Sequence, residues 1–124
     1  MILVDTANWI DHLHLGDAIL AQLLERRLVL THPFVIGEVA VGSLRRRSAV
    51  LIELRSLPMT MVAEDEEVLL FIDRHALFGR GLGYVDAHLL ASVRLTPDAQ
   101  IWTRDQRLHT VAEELGLAAP ALRQ

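Results

Sequence analysis

Four short runs rich in branched apolar residues punctuate the chain: ILVD (2–5), LVLTH (28–32), MTMVA (59–63) and QIWT (100–103). Each reads as a short strand, the first of them buried. Amphipathic stretches separate them. DAILAQLLERR (17–27) places Leu20, Leu23 and Leu24 at helical spacing behind Asp17, a natural N-cap. Pro33 sits where a first helical turn tolerates it, and 34–44 carries a broad apolar face. Helical patterns also cover 8–14, 48–57 (stopped by Pro58), 65–78 (acidic at its start), 84–95 and 105–115, the last followed by Gly116 as a cap. The tail, 117–124, adds a candidate edge strand. Strands alternating with helices predict an α/β domain with a mainly parallel sheet of four or five strands.

The bulk properties narrow the class. At 124 residues the chain suits one domain, and 52% hydrophobic residues with a mean hydropathy of +0.31 supply its core. The apolar stretches fall short of the roughly 18 residues that read as a membrane span, and no export signal is expected at the start. The absence of cysteine excludes disulfides and thiolate chemistry and fits a reducing cytosol. The net charge of −4 does not advertise a nucleic-acid binder, yet all twelve basic residues are arginine, the side chain best suited to holding phosphate. They cluster at Arg26–Arg27, Arg45–Arg47 and Arg104 with Arg107. Solvated helix faces account for such clusters; so does an arginine rim around an acidic pocket.

That pocket is foreshadowed by four acids. Asp5 ends the first strand and Asp105 follows the fourth, and ligands of open α/β sheets bind at the carboxyl ends of strands. Glu38 lies beside the apolar stripe of 34–44, and Asp86 heads a core-facing row in GYVDAHLLASV. Each has an ordinary alternative: Asp5 and Asp105 as helix caps, Glu38 as an arginine partner, Asp86 as a helix-start acid. If instead they converge, their mutual repulsion calls for a hard cation, and Mg2+, with Mn2+ as an alternative, prefers such oxygen ligands. Asp5, Glu38, Asp86 and Asp105 are then both metal-ligand and catalytic candidates for phosphodiester hydrolysis. Thr6, Asn8 and Thr103 are candidate donors that orient the carboxylates. The GRGLG loop (79–83) lacks the lysine and Ser/Thr of a phosphate loop and reads as a hinge ahead of Asp86. Arg80, Arg104 and Arg107 are candidate phosphate contacts. His12 and His14 read as surface residues, Trp9 and Trp102 as packing residues, and His88 as pointing away from Asp86, with proton transfer as its alternative.

MILVDTANWIDHL, HPFVIGEVAVGSL, GRGLGYVDAHLLAS and IWTRDQRL, in this order and spacing, make the chain resemble PIN-domain ribonucleases, specifically the VapC toxins of type II toxin–antitoxin pairs. The resemblance spans essentially 1–124, one PIN domain. It implies a three-layer α/β/α fold, the same acidic quartet with Asp5 and Asp86 foremost on Mg2+, and Thr103 at the family's Ser/Thr position. It also implies a cytoplasmic endoribonuclease that inhibits translation, forms a homodimer, and is neutralised by a VapB-type antitoxin; helices around 34–57 are the candidate seat for that partner. The alternatives are a PIN nuclease of RNA maturation without an antitoxin, and a non-catalytic interaction module. A receiver domain is disfavoured because the chain has no lysine.

Overall fold

In the computed structural model, which describes residues 1–120, a parallel sheet is built around β1 (Ile2–Val4). β2 (Val29–Leu30) pairs on one side, Ile2 against Val29 and Leu3 against Leu30. β3 (Gln100–Trp102) pairs on the other, with Leu3 opposite Ile101 and Val4 opposite Trp102. All three residues of β1 are buried, as a central parallel strand covered on both faces requires.

Seven helices occupy the described residues. α1 (Thr6–Leu15) begins where the Asp5 carboxylate accepts the Thr6 N–H, two residues earlier than the helical pattern predicts. It ends at Gly16, whose φ of 77° is the left-handed conformation glycine takes cheaply. α2 (Ala18–Glu25) is capped by Asp17, which accepts from the Leu20 N–H. Pro33 opens α3 (Pro33–Ala40), and α4 (Arg47–Ser56) follows. α5 (Asp65–Arg74) starts with three acids in its first turn. α6 (Tyr84–Leu95) is buried continuously from Ala87 to Val93, and α7 (Gln106–Glu114) packs Leu108, Val111 and Ala112 inward. The main core joins Leu3 and Val4 to Leu20, Val35, Val39, Leu89, Leu90, Ile101 and Leu108. No helix among the described residues is long and apolar enough to cross a membrane.

The sheet corrects the expected four or five strands: among the described residues it has three. MTMVA (59–63) contributes a single bridge, Thr31 to Met59, in which the Thr31 N–H meets the Pro58 carbonyl and the Thr60 N–H meets the Thr31 carbonyl. Beyond that, the Met61 N–H is taken by Thr96 Oγ1 and the Ala63 N–H by Ser92 Oγ, so the donors a strand would pair laterally point at α6 instead. β2 offers no further partner because the chain turns into α3 at His32. At the opposite edge the tail also makes one bridge, Ile101 to Ala118. The remainder of the tail strand expected there, 121–124, lies outside the described residues.

Candidate functional site

β1 is the point where strand order reverses, with β2 on one side and β3 on the other, so a crevice opens beyond its carboxyl end. Asp5 stands there, only 8% exposed, and both its oxygens are engaged. Oδ1 accepts the Thr6 N–H at 2.8 Å, and Oδ2 accepts the Thr103 hydroxyl at 2.7 Å. Each carboxylate oxygen retains a second lone pair, so capping α1 does not exhaust Asp5 as a ligand.

Two threonines carry the arrangement outward from Asp5. Thr6 Oγ1 donates to Glu38 Oε1 at 2.6 Å, linking the end of β1 to α3. Thr103 Oγ1, besides donating to Asp5, accepts the Asp105 N–H at 3.0 Å. Asp105 in turn caps α7 by accepting the Leu108 N–H through Oδ1. Asp86 reaches back to the Gly83 N–H at the start of α6, at 3.1 Å. Its carboxyl is pushed up from the ordinary carboxylate range, first by burial and further by the charges of Asp5, Asp105 and Glu38, against the smaller stabilisation from Gly83. Three acids from distant parts of the chain therefore act electrostatically on Asp86.

These acids are not prearranged as a closed cage: among the described residues no three acidic, cysteine or histidine side chains converge on a single metal point. The donor set fits a hard cation that takes one or two carboxylates and completes its shell with water. The four acids offer oxygen donors only, and Asp86 carries an electrostatic penalty that a dication would relieve.

The remaining predicted residues are placed as follows. Glu38 and Asp105 are exposed, so Glu38 sits at the edge of its helix's apolar face rather than within it. Asn8 is fully buried but touches no carboxylate; its Oδ1 accepts the Arg104 N–H at 3.1 Å, while Nδ2 has no partner. Arg104 is a surface strut whose guanidinium bridges Asp11 and Asp17. Arg80 pairs with Glu114 through two hydrogen bonds of 2.6 and 2.9 Å. The Arg107 guanidinium lies over Gly81, whose φ is +80°. His88 is buried against Phe34, His32 and Tyr84 with Nδ1 unpartnered, and His12 Nδ1 accepts the Asp17 N–H where α1 hands over to α2.

Sequence reasoning missed His32, which caps α3 and bonds Ser92. The available signal was its position immediately before Pro33 at a helix start.

No protein-family model matches the chain. It is similar to ribonuclease VapC32 of Mycobacterium tuberculosis, in strains CDC 1551 and H37Rv. Both are 48% identical over 118 residues, covering 95% of this chain and 95% of theirs.

Proposed function

The chain belongs to the VapC-type PIN ribonuclease toxins, and on that premise we propose that residues 1–124 form one PIN domain acting as a Mg2+-dependent endoribonuclease. Asp5 and Asp86 would hold the cation, Mg2+ or Mn2+, directly, with Glu38 and Asp105 reaching it through bound water. When bound, it would offset charge on the scissile phosphoryl oxygen and make a water more acidic. The observation that carries this proposal is the 48% identity to ribonuclease VapC32, and the hydrogen bonds that tie Asp5 through Thr103 to Asp105, and Thr6 to Glu38, at the end of β1 support it.

The chain's own residues supply orientation. Thr6 and Thr103 each engage one oxygen of the Asp5 carboxylate, which leaves a second lone pair on each. Glu38, tied only through Oε1, keeps Oε2 for the proton that the attacking water gives up as its oxygen joins phosphorus and the bond to the leaving ribose oxygen breaks. Arg107 is the arginine proposed to meet an RNA phosphate directly; Arg80 and Arg104 add positive potential to the rim while held by their acidic partners.

In this proposal the enzyme is cytoplasmic, works as a homodimer, inhibits translation by cutting RNA, and is silenced by a VapB-type antitoxin. The exposed Val41 and Ile52, on the segment 34–57, support a seat for that partner.

The test is cleavage of a total RNA pool with mapped cut sites, in Mg2+, in EDTA, and with Asp5→Ala. Cleavage at defined sites that disappears in EDTA and in the variant is expected. Activity unchanged by EDTA would overturn the proposal.

A further inference from the structure

His32 is fully buried, yet it lies outside the acidic cluster. Its Nδ1 accepts the Phe34 N–H at 3.0 Å, capping α3, so the ring proton resides on Nε2. Nε2 lies 3.0 Å from Ser92 Oγ and donates to it. Ser92, itself without exposed surface, also accepts the Ala63 N–H at 3.1 Å. The His88 and Phe34 rings pack edge-on at 5.2 and 5.3 Å and hold the imidazole plane. Burial and the neighbouring His88 lower the His32 pKa to about 4, which keeps the ring neutral and this tautomer in place.

Glu38 lies six residues beyond His32, and Asp86 six residues before Ser92. At 1.5 Å per residue, each acid stands about 9 Å along its helix from the bond. Among the described residues no other side-chain hydrogen bond joins α3 to α6. Rigid helices transmit the position of such a crossbar to their far turns.

We propose that His32 is a positioning residue that, through Ser92, ties the helix bearing Glu38 to the helix bearing Asp86 and so sets the separation of those carboxylates for cation binding. This rests on the acids forming a metal site. A tie that acts on a site through intervening packed helices changes its binding by about 2- to 30-fold when removed.

His32→Asn separates the two functions of the ring. Asparagine is a favoured N-cap and keeps an oxygen for the Phe34 N–H, but it is too short to reach Ser92. Mn2+ titration of the full-length protein by electron paramagnetic resonance is the readout, alongside thermal melts without metal. Affinity should fall at least about 3-fold in His32→Asn and in Ser92→Ala, and the double variant should be no worse than either single one. Unchanged Mn2+ affinity beside a lowered melting temperature, in either variant, would reduce His32 to a fold-stabilising residue and overturn the proposal. So would 15N spectra of the metal-free wild type placing the ring proton on Nδ1, a measurement that needs no variant to fold. A wild type that takes no Mn2+ would instead sink the functional reading, and this inference with it.

Discussion

Thr103→Val tests whether one hydroxyl holds the acidic cluster together. Valine keeps the shape of threonine and removes only the oxygen that donates to Asp5 Oδ2 and accepts the Asp105 N–H. Thr103 is 6% exposed, so water does not readily replace it. A hydrogen bond to a charged acceptor contributes about 1.5–3 kcal/mol, and an N–H left without a partner adds roughly 1 kcal/mol. The expected loss is therefore about 2–4 kcal/mol, read by urea unfolding at pH 7 in EDTA so that no cation contributes. Thr103→Ser keeps the hydroxyl and gives up a buried methyl, a cost of about 1 kcal/mol. A double-mutant cycle with Asp5→Ala isolates the shared bond from the capping that Asp5 also provides, with a coupling of about 1–2 kcal/mol expected. Two results would refute the reasoning: Thr103→Val no less stable than Thr103→Ser, or strict additivity with Asp5→Ala.

Asp86→Asn removes a carboxyl whose folded pKa lies above its unfolded one; such a group favours folding at low pH and loses that contribution as pH rises through the folded value. The metal-free variant should therefore gain on wild type in melting temperature between pH 4 and pH 7, and should lose the stabilisation by Mg2+ that wild type displays in thermal melts. His32 behaves in the opposite sense. With its pKa lowered to about 4 from 6.5, its stabilising share is complete above pH 6.5 and drains away down to pH 4. Relative to His32→Asn, wild type should lose on the order of 2 kcal/mol across that window, as denaturant midpoints taken at half-unit pH steps would reveal. Gly81→Ala forces a Cβ to 2.6 Å from Arg107 Nη1 at a φ of +80°. The left-handed backbone alone costs about 1–2 kcal/mol, so adding Arg107→Ala should recover the steric part of the loss in urea unfolding but not that remainder.

The parts of the fold written into local pattern were legible. β1 is a buried run and β3 buries Ile101, and because the two strands are neighbours Thr103 joins Asp5 to the Asp105 N–H. Asp5 was readable both as cap and as ligand, and its geometry accommodates the two at once, since capping engages one lone pair of Oδ1. MTMVA misled because its composition suits a strand, while the partners that decide its fate, Ser92 and Thr96, lie about thirty residues away on a helix. Arg80 and Arg104 looked free for RNA for the same reason. Glu114 is 34 residues from Arg80, and Asp11 and Asp17 are 93 and 87 from Arg104, distances at which no periodicity speaks.

The bond between Thr103 and Asp5 spans 98 residues, and β1 takes its register from β3 at nearly the same separation. During synthesis at about 5–20 residues per second, Asp5 leaves the ribosome some 5–20 s before the hydroxyl that orients it. For that interval the emerging chain can pair β1 with β2 but not with β3, and Asp5 lacks the threonine that joins it to Asp105.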